Sequence, residues 1–139
     1  MNSLLILPSF AAMCVLATGA YAGELTVKVT DIRATEGSLM IAVVNTDAAW
    51  NNQAKPVAAQ KVAAEKGEMH FKFSDLPDGS YAVQVMHDQN GNDKLDSNFL
   101  GIPTEGYGFS NNPNVMRRAT FEEARFEVKA DTAITIRLR

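Results

Sequence analysis

The sequence has little of several residue types that carry most protein chemistry. Its one cysteine, Cys14, lies in an apolar N-terminal stretch, so the rest of the chain has no disulfide and its core must hold the fold alone. Its two histidines, His70 and His87, match no nucleophile–base–acid pattern, and the chain has no zinc-ligand spacing and no phosphate loop. These absences favour a protein that is not an enzyme.

Neither the positive nor the negative charges are clustered in one part of the sequence. The formal net charge of the 139 residues is −3, and there is no long charge run, low-complexity stretch or internal repeat. Because nucleic-acid-binding domains carry a basic patch or stripe, the absence of a basic cluster argues against a nucleic-acid partner.

The N-terminal segment has the features of a secretory signal peptide. Residues Leu4 to Leu16 form an apolar core, and Ala20-Tyr21-Ala22 is a small-x-small cleavage site. The core is shorter than the roughly 20 residues that a transmembrane span needs. We therefore predict a signal peptide helix over residues 1–22, one domain over residues 23–139, a periplasmic or secreted location and no transmembrane segment after signal removal.

The remaining chain alternates between apolar and polar residues with a period of two, which is typical of β-strands. Leu25, Val27 and Val29 form the first alternating run. The runs over residues 68–74 and 80–87, joined by the turn DLPDG, are predicted to pair as a hairpin. We expect an all-β fold, an antiparallel Greek-key β-sandwich of about seven strands of the transthyretin-like or immunoglobulin-like kind. Its last strand would form an exposed edge, with Arg137 and Arg139 facing water.

The segment over residues 88–96 has the spacing of a calcium loop. Oxygen-bearing residues stand at positions 1, 3, 5, 7 and 9 of such a loop, which suits a hard cation. They are Asp88, Asn90, Asn92, Lys94 (through its carbonyl) and Asp96.

This match to a calcium loop is incomplete. Asp93 replaces the glycine of position 6 and Phe99 the glutamate of position 12, so Asp93 or Glu105 would have to supply a further carboxylate. The alternative is a turn without metal, because Asn90-Gly91 is a favoured hairpin turn and Asp and Asn side chains bond to their own backbone in loops.

The segment over residues 99–112 is too apolar for a solvated coil, so we expect it to pack on the open end of the sandwich. Its apolar residues are Phe99, Leu100, Ile102, Tyr107 and Phe109. Its polar groups would line a ligand pocket, or else satisfy the backbone of a packed crossover. The candidate ligand-binding residues are Glu105, Tyr107, Ser110, Asn111 and Asn112.

A long motif in this region resembles a known family. The run GSYAVQVMHDQNGNDKLDSNFLGIPTEGYGFSNN over residues 79–112, followed by TFEEARF over residues 120–126, is similar to the bacterial exported family of unknown function DUF2141. The resemblance implies an exported β-sandwich and supplies no activity. The phrase LPDGSYAVQV also resembles the strand–turn signature of transthyretin-like and carboxypeptidase-regulatory-like sandwiches, which bears on fold alone.

Three functional hypotheses follow. The leading one is a non-enzymatic exported module whose 88–112 loop binds a small molecule, a glycan or an envelope protein, with calcium as a structural ion. The second is a periplasmic hydrolase that uses Asp88, Asp96 and Glu105 as acid and base on a sugar or an ester. The third is an envelope-assembly module, which a bare apolar patch would reveal.

Overall fold

The computed structural model describes residues 22–139, so the predicted signal peptide lies outside the described residues except for Ala22. Strands dominate the described part, and its two helices are single turns of four residues. No helix among the described residues has the length and apolar character to cross a membrane. In chain order the elements are β1 (Ala22–Ile32), β2 (Ser38–Val44), α1 (Asp47–Trp50), β3 (Ala58–Ala63), β4 (Gly67–Pro77), β5 (Gly79–Asp88), β6 (Tyr107–Phe109), α2 (Phe121–Ala124), β7 (Phe126–Val128) and β8 (Thr132–Arg137).

The strands form two sheets, which confirms the all-β prediction. One sheet has the order β4-β1-β8, and the other has the order β3-β2-β5-β6 with β7 also paired to β5. The main core lies between the sheets and contains the alternating side chains of β1, β2, β4 and β5. The finer assignment to a Greek-key topology stays a prediction.

The prediction of a wholly antiparallel sandwich is wrong for one pair of strands, because β8 runs parallel to β1 with Ile134 opposite Val27. The chain reaches β8 from β7, which belongs to the other sheet. The connection ends beside the start of β1, where the Glu24 N–H donates to the Asp131 carboxylate at 2.9 Å. Both strands therefore begin at the same end of the sheet.

The predicted hairpin between residues 68–74 and 80–87 is also wrong. β4 pairs with β1, and β5 pairs with β2, so the turn at residues 77–79 carries the chain from one sheet to the other. The Tyr81 hydroxyl donates to the Pro77 carbonyl at 2.7 Å and closes this arch. The apolar faces of the two strands meet across the core, where each buries the other.

A second, smaller apolar cluster covers the outer face of β5. Trp50 from α1 packs there against the rings of Phe109 and Phe121, with ring centroids 5.4 and 6.5 Å away. The Trp50 indole N–H donates to the Ala119 carbonyl at 2.9 Å, so the polar atom of this buried ring is satisfied. As a result β5, which leads into the 88–112 loop, is held on both faces.

The far end of the 88–112 loop is fixed across both sheets. The backbones of Tyr107 in β6 and Arg139 after β8 exchange two N–H···O=C bonds, at 2.9 and 3.2 Å. The Asn112 side chain bonds to the Arg137 N–H and the Thr135 carbonyl. The side chains of Arg137 and Arg139 are exposed, as expected, but these bonds occupy part of the predicted free edge.

We predict that Gly37→Ala destabilises the protein far more than Gly67→Ala. Both glycines have positive φ, +72° and +99°, so the left-handed backbone costs each alanine about 1–2 kcal/mol. A Cβ on Gly37 would lie 1.9 Å from the carbonyl oxygen of Asp88, whereas nothing lies within 4 Å of a Cβ on Gly67. Urea unfolding should therefore show at least about 2 kcal/mol between the variants, and equal losses would contradict the packing of the 88–96 loop against Gly37.

Candidate functional site

The 88–96 loop is built around the carboxylate of Asp88, which is fully buried at the end of β5. Oδ1 accepts the N–H groups of Gly91 and Asn92 at 3.0 and 3.2 Å, and Oδ2 accepts that of Asp93 at 2.8 Å. Hydrogen bonds to a charged acceptor are stronger than neutral ones. These three bonds therefore coil the chain around a single side chain.

The amides of the loop gather on Asp96. The Asn92 side-chain NH₂ donates to Asp96 Oδ1 at 2.8 Å, and the Asn90 side-chain NH₂ donates to Oδ2. The amide oxygens of Asn90 and Asn92 accept the N–H groups of Asn92 and Lys94 at 3.2 and 3.0 Å. The structure thus links the predicted metal-ligating side chains through one hydrogen-bond network, to which Lys94 contributes its backbone.

Glu105 ties the two ends of this loop together. Its side chain is buried, Oε1 accepts the Gln89 N–H at 3.0 Å, and Oε2 accepts the Asp96 N–H at 3.0 Å. Asp93, the other candidate for an extra carboxylate, lies on the surface and pairs with Lys61 at 2.7 Å. This hydrogen bond and the charge of Asp93 raise the pKa of Lys61.

The geometry of the loop bears on calcium in two ways. Asp93 has a φ of 60°, so its backbone adopts the left-handed conformation that the glycine of position 6 usually supplies. Among the described residues, however, no three His, Cys, Asp or Glu side chains are grouped to hold a metal ion. The side-chain oxygens that an ion would use accept hydrogen bonds in the structure, and the calcium site stays a prediction.

The five predicted ligand-binding residues do not line one common pocket. Ser110 is buried, where its hydroxyl accepts the Val83 N–H at 2.9 Å and donates to the Ala124 carbonyl at 2.5 Å. The Asn111 amide donates to the carbonyls of Glu123 and Arg125 at 3.2 and 2.6 Å.

The other three candidates lie apart from this pair. Asn112 bonds to β8, as described above, and the half-buried Tyr107 ring packs on Phe109 with centroids 5.7 Å apart. Glu105 is the member that borders a cavity. Each of the remaining four fastens the loop to the sandwich.

The apolar residues at the head of the loop are exposed, which corrects the expectation that they pack on the sandwich. Relative exposures are 95% for Phe99, 68% for Leu100 and 56% for Ile102. We call these three residues the apolar tip. Phe109 is buried and Tyr107 half-buried, so the packing prediction is right only for the second half of the segment.

A tight turn explains why the apolar tip points outward. Asn98 Oδ1 accepts the N–H groups of Leu100 and Ile102 at 2.9 and 3.1 Å, and the Asn98 N–H donates to the Ile102 carbonyl at 2.9 Å. Gly101 has a φ of +77° and donates to the Asn98 carbonyl at 2.9 Å. The turn closes on itself between Ser97 and Pro103, so its side chains project to solvent.

A partly enclosed cavity of about 160 Å³ lies below the loop, and sequence reasoning missed it. Its wall includes the buried His87 and Glu105, the half-buried Gly106, Thr104, and the exposed Arg33 that follows β1. His87 Nε2 lies 2.7 Å from the Glu36 carbonyl oxygen. The cavity joins residues distant in sequence, so no local pattern pointed to Arg33.

These features define a two-sheet β-protein with a long ordered loop, an apolar tip and a small polar cavity beneath it. The family described as "Uncharacterized protein conserved in bacteria (DUF2141)" matches residues 27–136, and the chain belongs to this family. Comparisons with curated proteins and with solved structures produced no match. The transthyretin-like assignment therefore stays a prediction.

We predict that Asp88→Asn destabilises the protein by on the order of 3 kcal/mol, because it removes the charge that three backbone N–H groups share. Asp93→Asn is the matched control, since it removes a carboxylate of the same loop from a surface ion pair and should cost less than about 1 kcal/mol. Urea unfolding of both variants measures the difference. Losses equal within about 0.5 kcal/mol would contradict the central role of Asp88.

Proposed function

We propose that this protein is an exported, non-enzymatic binding module whose apolar tip docks into a pocket of an envelope protein. The exposure of Phe99, Leu100 and Ile102 on one ordered turn carries this proposal. Contiguous exposed apolar groups on an otherwise polar surface mark interaction sites. The apolar run Leu4 to Leu16 and the Ala20-Tyr21-Ala22 site support export.

The backbone of the turn is already prepared for an apolar environment. The N–H groups of Asn98, Leu100, Gly101 and Ile102 are all bonded within the turn, and Pro103 has none. Burying an unpaired polar group costs free energy, so a turn in which the N–H groups other than that of Phe99 are paired enters a dry pocket at lower cost. The same bonds hold the tip in one shape and reduce the entropy lost on binding.

The size of the apolar tip favours a concave partner over a second copy of the chain. A standard interface buries about 800 Å² on each partner, and three side chains on one turn cannot supply that area against a flat, self-complementary surface. A pocket that encloses one aromatic anchor gains much of its binding energy from that residue. Phe99 is suited to be this anchor.

The charge of the protein favours a protein partner over an anionic lipid surface. Membrane-binding loops gain affinity from Lys and Arg residues that face anionic lipids. Here Lys94 lies in the same loop as Asp93 and Asp96, and the formal net charge of the chain is −3. Attraction to an anionic surface would therefore be weak.

The contacts of the carboxylates support this proposal over the hydrolase alternative. An acid or base must reach the proton that it transfers. The oxygens of the fully buried Asp88 instead accept backbone N–H groups inside the loop, and those of Asp96 accept the side-chain amides of Asn90 and Asn92. Both residues hold the loop that carries the apolar tip.

We also propose that the 88–96 loop takes a calcium ion as a structural ligand. The support is the gathering of Asp88, Asn90, Asn92 and Asp96 into one network, with the left-handed turn at Asp93 between them. Binding would require the two asparagine amides to rotate their oxygens away from backbone N–H groups. With few carboxylates, the dissociation constant would be on the order of 10⁻⁴–10⁻³ M.

We predict that a photo-cross-linking residue in place of Leu100 captures one envelope protein in producing cells, and that adding Phe99→Ser abolishes the capture. Once the captured protein is purified, Phe99→Ser should weaken its binding at least about 30-fold, because an aromatic anchor contributes about 2 kcal/mol or more. The melting temperature should hardly change, since Phe99 is 95% exposed. Met116→Ser is the matched control, because Met116 is fully exposed but lies outside the loop.

Mass spectrometry of the cross-linked species separates the possible outcomes. An adduct with lipid, an adduct with a second copy of the chain, or capture that survives Phe99→Ser would each overturn the proposed partner. The same spectra give the N-terminus of the protein. We expect it at Gly23 after export, and an intact Met1 would refute export.

For calcium, we predict that millimolar concentrations raise the melting temperature and that Asp96→Asn abolishes the rise. At ten times the dissociation constant, which corresponds to about 1–10 mM calcium, the ion would add about 1.4 kcal/mol to the free energy of unfolding. Asp93→Asn should retain the rise, because that carboxylate lies outside the network. An unchanged melting temperature in the wild-type protein would show that the loop is a hydrogen-bonded turn without metal.

A further inference from the structure

The cavity beneath the loop contains a buried histidine with an unused nitrogen. His87 is 2% exposed, and its Nε2 lies 2.7 Å from the Glu36 carbonyl oxygen. Because a carbonyl oxygen only accepts hydrogen bonds, Nε2 carries the hydrogen, and in the neutral ring Nδ1 is then an acceptor. No described residue donates to Nδ1 in the structure.

Solvent-filled space must reach this nitrogen. Every fully occluded side-chain nitrogen or oxygen in the described part of the chain has a hydrogen-bond partner. Nδ1 has none and is therefore not fully occluded, and the cavity is a space that His87 borders. The cavity thus offers an acceptor suited to a ligand hydroxyl.

A cation stands at the mouth of the same cavity. Arg33 is exposed and makes no ion pair with any described residue. Asp31, the carboxylate beside it, is paired with Arg137 at 3.3 Å. A planar guanidinium without a partner is suited to bind a carboxylate through two parallel N–H···O bonds.

The other charged groups of the cavity do not neutralise the positive charge of Arg33. Glu105 is buried in the wall, with each carboxylate oxygen accepting a backbone N–H and with lone pairs left for a ligand hydroxyl. Arg139 also borders the cavity, but its guanidinium donates to the Val115 carbonyl at 3.3 Å and to the Pro113 carbonyl. Lys66 joins Arg33 in the open groove that continues from the mouth.

We propose that this cavity binds a small hydroxy acid. The carboxylate of the ligand pairs with Arg33 at the mouth, and its hydroxyl groups donate to His87 Nδ1 and to Glu105 inside. The volume of about 160 Å³ equals that of roughly five water molecules in the liquid, so the cavity has room for a ligand of a few carbons. This site is separate from the apolar tip, although both belong to one loop.

Three probes of matched size test the proposal on the purified protein. Glycerate has the carboxylate and the hydroxyls, propionate lacks the hydroxyls, and glycerol lacks the carboxylate. We expect glycerate to shift the NMR resonances of the His87 ring saturably. Propionate and glycerol, each lacking one set of contacts, should bind at least about tenfold more weakly.

Two charge-matched variants locate the carboxylate. Arg33→Gln should weaken glycerate binding at least about tenfold, and the fold should survive because the side chain is exposed. Lys129→Gln, which removes an exposed cation at the opposite end of β1, should leave it unchanged. Equal binding of glycerate and propionate, equal effects of the two variants, or a silent His87 ring would each overturn the proposal.

The variants also separate this site from the proposed partner site. Phe99→Ser should leave glycerate binding intact, and Arg33→Gln should leave cross-linking from position 100 intact. These experiments can therefore refute the proposed hydroxy-acid site without refuting the proposed partner site, and the reverse.

Discussion

The buried carboxylate of Asp88 is the interaction on which the rest of the loop depends. A carboxylate taken out of water is costly unless hydrogen bonds replace its hydration. Three backbone N–H groups do so here, and they come from residues three to five positions after Asp88. The charge therefore compels the chain to coil at the end of β5. That coil presents the N–H groups of Gln89 and Asp96 to the second buried carboxylate, Glu105.

The hydrogen bonds that these polar groups make within the loop explain how the apolar tip stays exposed to water and does not pack onto the sandwich. Glu105 and the Thr104 N–H, which donates to the Asp96 carbonyl at 2.8 Å, fix the base of the turn. The Asn98 side chain then accepts the N–H groups of Leu100 and Ile102 within the turn. Leaving Phe99 exposed forgoes the roughly 1.5–3 kcal/mol that burial of such a side chain yields. The docking that we propose for this residue would account for the loss.

Local patterns predicted the strands well and their partners poorly. Alternation over Leu25–Val29 and over Met69–Phe73 marks strands because a strand face repeats every two residues, and both segments lie in strands. The alternation of apolar and polar residues does not indicate which strand pairs with which. The turn at residues 77–79 fits a hairpin and a sheet-to-sheet arch equally well, and only the packing of the whole core selects the arch. The parallel pairing of β8 likewise depends on β7, three residues that carry little signal of their own.

The same holds for the candidate site: sequence spacing predicts contacts between residues close in the chain but not contacts between distant ones. Asp88, Asn90, Asn92 and Asp96 could be grouped from their spacing because a tight loop turns alternate residues to one side. Arg33 and His87 border the same cavity only because β1 and β5, which belong to different sheets, finish at the same end of the sandwich. Composition also could not decide the position of Phe99, since a buried core and a partner site both use apolar residues. Its exposure on a turn that bonds most of its own N–H groups shows that it is not a core residue, and this exposure is what supports the docking that we propose.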